Sequence, residues 1–271
     1  MRAFRLSLAL AAAAVAVQAQ DNYEIQVYPG QVVEKGITMV ELHSNFTFEG
    51  SRPVPGTDRA EDGTAPTTHA LHETVEITHG FTDWFETGLY IFTSYNQYGN
   101  GYGWVGDHLR PRVAVPERLK WPVNLSLSLE FGYQRAKYST DTWTLEIRPI
   151  IDKQVGRWYL SFNPTVDRSF HGPGVASGVV FSPNFKAGYD VTKKVNVGLE
   201  YYGSLGPITG FDQIRDQEQQ IVPAIDLNLG KNWEFNAGIG IGVTQATDHL
   251  LVKLILGRRF EFGHKAGPEK P

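Results

Sequence analysis

Three consecutive residues, His43, Ser44 and Asn45, carry the side-chain types of a hydrolytic set: a base, a nucleophile and a polar group to orient the base. Their spacing works against that use. Neighbours on a strand point to opposite faces, so Ser44 cannot reach His43 if this stretch is extended. His171 lies near Ser169, but Gly172 and Pro173 follow it as a tight-turn pair. His69, His72 and Glu73 offer metal-ligating atoms without the spacing of any specific metal centre. The 271 residues contain no cysteine, which excludes thiolate zinc sites, a cysteine nucleophile and a disulfide framework. A lipid-active hydrolase is therefore the weakest functional reading. The sequence predicts no catalytic residue, no metal centre and no cofactor.

What the chain offers instead is charge at alternate positions, and alternation is a property of strands. In N-L-S-L-S-L-E-F-G-Y (124–133), Leu125, Leu127, Leu129, Phe131 and Tyr133 face one way, and Ser126, Ser128 and Glu130 the other. The stretch 234–244 repeats the device, with Phe235, Ala237, Ile239, Ile241 and Val243 opposite Asn236, Gly238, Gly240 and Gly242. Twelve such segments are predicted, over 37–49, 69–79, 84–95, 107–115, 123–138, 141–154, 157–169, 175–190, 195–205, 217–229, 233–244 and 249–262. Globular strands typically have about five or six residues, whereas a tilted strand crossing a bilayer needs about 9–11. Short connections alternate with longer ones such as 50–68, 96–106 and 206–216. Short turns at one end and longer loops at the other are the pattern of outer-membrane barrels. Trp84, Trp121, Trp158 and Trp233 each stand at the exit of a short turn, and Trp104 and Trp143 lie near the opposite ends. That is an aromatic girdle, because indole favours the boundary between hydrocarbon and water.

The remaining features agree. Arg2 and Arg5, an apolar run from Leu6 to Val17, and Val17-Gln18-Ala19 read as a secretory signal peptide over 1–19. A formal charge of −4 gives no reason to expect nucleic acid as a partner. The last strand ends in Gly257-x-x-Phe260-x-Phe262, similar to the terminal signal read by barrel-assembly machinery. It departs from that signal in having Ile255 at a usually polar position and nine residues after Phe262. The polar tail 263–271 is expected to be disordered.

If the apolar set faces lipid, the alternate set faces the lumen: Glu41, His43, Asn45, His72, Glu76, Glu86, Arg110, Arg112, Glu130, Glu146, Arg148, Asp152, Asn163, Asp167, Asn184, Lys186, Glu200, Asp226 and Lys253. Nine acids stand against five Arg or Lys in this set, so the interior is acidic. Arg110, Arg112, Glu130, Glu146, Arg148 and Asp152 fall on three successive strands, which predicts an acid–Arg cluster on one wall. Two readings stand. The charges line a narrow water-filled path, or they pair across the lumen and brace a closed barrel. Residues 20–36 form either a periplasmic extension or a small plug.

The stretches H-E-T-V-E-I-T-H-G-F-T-D-W-F-E-T-G-L-Y-I-F (72–92) and I-I-D-K-Q-V-G-R-W-Y-L-S-F-N-P (150–164) resemble bacterial outer-membrane proteins akin to the barrels of meta-pathway phenol-degradation clusters. The resemblance spans most of 24–262. It implies a barrel in a Gram-negative outer membrane and uptake of small apolar or aromatic compounds, and it supplies no ligand-binding residue. The expectation is an all-β, up-and-down antiparallel transmembrane barrel over 37–262, with both termini periplasmic and outer-membrane lipid and the assembly machinery as partners.

Overall fold

The computed structural model describes residues 22–98 and 101–262. The signal segment 1–19 and the tail 263–271 lie outside the described residues. Twelve strands follow in order: β1 (Ile37–Glu49), β2 (Ala70–Gly80), β3 (Phe85–Asn96), β4 (Gly101–Ala114), β5 (Asn124–Gln134), β6 (Trp143–Val155), β7 (Trp158–His171), β8 (Val179–Asp190), β9 (Val195–Ser204), β10 (Glu218–Leu227), β11 (Trp233–Gly242) and β12 (Leu250–Glu261). Each pairs antiparallel with its sequence neighbours, and β1 closes on β12 to complete the ring. Closure leaves no unpaired edge, which a sheet in hydrocarbon must not have. Ile37 opposes Glu261, so the barrel begins and ends at one rim, that of the short turns.

Side-chain period explains the two surfaces. Leu127, Phe131, Leu160, Leu199, Ile239 and Val252 are exposed on the outside, while Ser126, Ser128, Glu130, Ser161, Glu200 and Lys253 are buried inside. Outward charges occur towards the strand ends, with Glu73, Asp107 and Arg168 near the loop rim and Lys153 and Arg258 near the turn rim. The apolar band between them matches the hydrocarbon layer. The six tryptophans are all exposed and lie within three residues of a strand end. Arg258 stacks at 5.0 Å on the Trp233 ring at the turn rim.

Three boundaries differ from the sequence reading by four residues or more. β4 begins at Gly101, six residues earlier than the predicted 107. The sequence reading places a longer connection over 96–106, but Gly103 and Gly106 let the extended chain pack closely on its neighbours. The register slips between Phe92 and Thr93, and a Cβ on Gly106 would sit 1.9 Å from the Tyr133 carbonyl. β5 ends at Gln134, because Arg135 to Ser139 form a turn closed by the Tyr138 N–H on the Arg135 carbonyl. β8 starts at Val179, after a 3-10 turn at Pro173–Val175 and Gly178 with φ +82°.

Leu127 sits mid-strand on the lipid face, and Leu119 lies in the 116–122 turn. Leu127→Arg is expected to cost about 2–4 kcal/mol in a lipid refolding titration and Leu119→Arg less than about 1 kcal/mol. Equal losses would place the apolar band elsewhere.

Candidate functional site

The lumen is occupied by the chain's own residues 22–36. Asn22 meets the loop rim, where its amide donates to Asp248 at 2.7 Å. Gly36 reaches the turn rim, where its N–H donates to the Gly80 carbonyl at 2.7 Å. Between them the segment has no regular secondary structure, so its backbone groups need partners from the wall. The wall supplies them as side chains. Thr74 donates to the Tyr23 carbonyl (2.6 Å), Lys253 to Ile25 (3.0 Å) and Ser161 to Tyr28 (3.0 Å). Arg112 donates to both Pro29 (2.9 Å) and Gln31 (2.8 Å). In the other direction, the N–H groups of Tyr28 and Val33 donate to Asn163 and Glu86, and that of Gly30 to Asp152. Apolar side chains of the segment fill the space between. Ile25 and Val27 pack on Tyr202, Val222 and Leu251, and Tyr23 on Tyr90, Phe92 and Val105.

The inward charges form three groups. In the first, Arg110 bridges Glu76 (2.7 Å) and Glu86 (3.6 Å), and Arg112 pairs with Glu86 (2.7 Å). In the second, Arg148 holds Glu146 through two hydrogen bonds of 2.6 Å. The third joins Lys253 and Lys186 to Glu200, with Lys186 also 2.8 Å from Asp226. Tyr28 of the inner segment ties the first two together, with Arg110 at 4.6 Å and Arg148 at 4.7 Å from its ring. Its hydroxyl donates to Glu24.

The single acid–Arg cluster expected on β4–β6 is therefore not what forms. Arg110 and Arg112 turn to β2 and β3 acids instead. Glu130 is taken by His108 at 2.5 Å, and Asp152 by the amide of Asn124 and the backbone of Gly30. The physical reason is register. Glu130 lies directly opposite Glu146, so like charges face each other there. Arg110 lies opposite Gly88, whose missing side chain lets the guanidinium reach across β3 to Glu76.

Other sequence candidates separate. His72 is buried against the Tyr23 ring at 4.8 Å, Glu73 faces outward and His69 is exposed, so the three do not converge. His43 and Ser44 face opposite sides, with Ser44 beside the outward Glu73. His171 shares a 2.7 Å hydrogen bond with Thr142. Asp167 accepts from Ser182 at 2.7 Å, and Asp226 also accepts from Asn236 at 2.8 Å. Sequence reasoning missed Tyr28, Tyr90, Tyr202, His108 and Glu24. The parity of Glu86 with Tyr90, and of Glu200 with Tyr202, was the available signal for the strand tyrosines.

Two cavities of about 560 and 540 Å³ flank the inner segment on the turn side, and both reach Gln26, Pro29 and Glu41. Beside Asn22 and Ile25 at the loop rim the space is about 50 Å³. The two larger spaces thus lie on the turn side of the segment, among the described residues.

The family model described as "Putative MetA-pathway of phenol degradation" matches residues 118–252, from the turn before β5 into β12. No curated protein is significantly similar to the chain. An outer-membrane channel from Pseudomonas putida F1 is similar in structure at 11% identity and a TM-score of 0.59, covering 88% of this chain and all of that one. The NanC porin aligns at 8% identity and a TM-score of 0.54, over 82% of this chain and all of that one. These likenesses are of fold. With the apolar, girdled exterior they identify the chain as an outer-membrane β-barrel.

Lys253 is 1% exposed and binds Glu200, the Tyr202 hydroxyl and the Ile25 carbonyl. Lys253→Met is expected to cost about 3 kcal/mol in urea unfolding, because a buried carboxylate loses a partner. Lys186 remains, which keeps the loss at the low end, and adding Glu200→Gln should recover part of it. Asp248 lies in the loop between β11 and β12, and burial pushes its carboxyl above the ordinary range despite hydrogen bonds from Thr67 and Asn22. A raised carboxyl favours the protonated folded state, so its contribution is greatest in acid and is lost as pH rises from the unfolded value through the folded one. Asp248→Asn should flatten that part of the pH profile of the urea midpoint, and an unchanged profile would contradict the assignment.

Proposed function

We propose that the chain is a narrow outer-membrane uptake channel for small solutes, with residues 22–36 acting as the plug. The carrying observation is the passage of this segment through the whole lumen, bound by side chains rather than by sheet hydrogen bonds. Side-chain contacts can be exchanged without breaking the ring, so the path can change while the wall stays closed. Two sizeable cavities lie beside the segment on the turn side, and its aromatic contacts with Tyr90 and Phe92 sit towards the loop side. Uptake of apolar or aromatic compounds is supported by the phenol-degradation description of the matched family. In this reading the turn rim and both barrel ends face the periplasm, the barrel-assembly machinery reads β12, and no step involves catalysis.

A second reading rests on the same charges. Arg110, Arg148 and Lys253 are each almost fully buried in pairs, which suits a braced barrel that carries no flux.

Planar-bilayer recording separates the two. Deleting residues 22–33 should raise single-channel conductance several-fold, with a preference for cations because inward acids outnumber inward bases. Arg148→Ala should shift selectivity further towards cations. A deletion variant that folds, loses stability and shows unchanged conductance would favour the brace.

A further inference from the structure

Next to the first charge group, and sharing Glu76 with it, the lumen gathers donor atoms that neither the channel nor the brace requires. Glu41 on β1 lies directly opposite Glu76 on β2, and His43 occupies the next inward position on β1. All three are buried, at 7%, 1% and 0% exposure. Two carboxylates facing each other in register repel, and burial strengthens that repulsion. The neighbouring cations do not resolve it. Arg110 serves Glu76 and Glu86, Arg112 serves Glu86, and Arg259 across the cavity is paired with Glu234. Among the described residues Glu41 has no ion-pair partner. One of its carboxylate oxygens and Nδ1 of His43 are buried without any hydrogen bond.

The donor atoms are nonetheless gathered. One ligating atom from each of Glu41, His43 and Glu76 lies within 4.8 Å of the others. The Nε2 of His43 is 3.3 Å from one Glu76 oxygen, while the other Glu76 oxygen is held by Arg110 (2.7 Å) and Thr78 (2.6 Å). That second set of bonds fixes the carboxylate, as supporting groups do around metal ligands. Donors bound about 2.0–2.2 Å from zinc stand roughly 3.4 Å apart, so only a small contraction is needed. The approach is present as well, because Glu41 and Glu76 line the 560 Å³ cavity that extends to the turn residues Asp83 and Glu117. Glu41 packs against Gly257, where a Cβ would lie 2.9 Å from its Cγ, so the carboxylate has its room only beside a glycine.

We infer that Glu41, His43 and Glu76 form a binding site for one divalent cation of the zinc class, with water from the cavity completing the coordination. One imidazole with two carboxylates suits zinc or manganese better than magnesium or calcium. Such an ion would replace the repulsion between β1 and β2 with a shared ligand beside the seam where β1 closes on β12.

The test is titration calorimetry of the full mature barrel in detergent after EDTA treatment, with zinc chloride as the probe and magnesium chloride as the comparison. The expected result is saturable binding of one zinc ion per chain. Glu41→Gln and His43→Asn should each weaken it at least about tenfold, while His69→Asn, at an exposed position, should leave it unchanged. Heat-modifiable gel migration reports whether each variant is folded. Zinc-edge absorption of the wild-type protein needs no variant, and should show a single imidazole with oxygen ligands. Absence of saturable binding, equal affinity in folded Glu41→Gln, or coordination by two or more imidazoles would overturn the proposal.

Discussion

A backbone N–H or C=O inside a bilayer must find a partner, in the protein or in water held in a cavity of the protein. The twelve-stranded ring meets that demand for the strands by closing β1 on β12. The same demand falls on residues 22–36, which run through the ring with no sheet or helix of their own. Thr74, Glu86, Arg112, Asp152, Ser161, Asn163 and Lys253 each bond a backbone group of the segment. A polar wall is thus required by an irregular segment in the lumen, whether or not solute passes. The composition of the inner face follows from this requirement as much as from any need for water.

The charges obey a second constraint. A buried ion contributes only when its partner and its remaining hydrogen bonds are in place. Lys253 meets that condition fully. Arg110 and Arg148 pair with acids but keep buried N–H groups, Nε and Nη1 of Arg110 and Nη1 of Arg148, that make no hydrogen bond and lie instead near the Tyr28 ring. Arg110 spans two acids and lies over two tyrosine rings. Arg148 uses the fork of its guanidinium on Glu146. Lys253 divides its protons among a carboxylate, a phenol and a carbonyl. A network divided in this way fixes the position of Tyr28, which lies over or near guanidinium groups from β4 and β6.

The strands were legible because a two-residue period survives in nearly every one, and the inward set from Glu41 to Lys253 follows from it. The start of β4 was not legible, because Gly103 and Gly106 serve close packing within the strand rather than a connection. Pairing was less legible. Strand order tells which charges share a wall, but the reach of a guanidinium past Gly88 and the acid opposite Glu130 depend on exact register. The use of Arg112 and Asp152 as ligands for backbone atoms at positions 29–31 could not be read from spacing, because the segment itself shows no period.

The path of residues 22–36 has a consequence for the order in which the chain assembles. The segment runs straight into β1, and β1 is one of the two strands that complete the ring. Asn22 lies at one rim and Gly36 at the other, so a finished ring encircles the segment. Drawing a free end through a lumen this crowded would break each wall contact in turn. Laying the segment into an open, curled sheet and then zipping β1 to β12 breaks none. Filling the lumen before the β1–β12 seam closes is thus the route that disrupts no wall contact. On that route the internal segment serves as the mandrel on which the sheet is rolled.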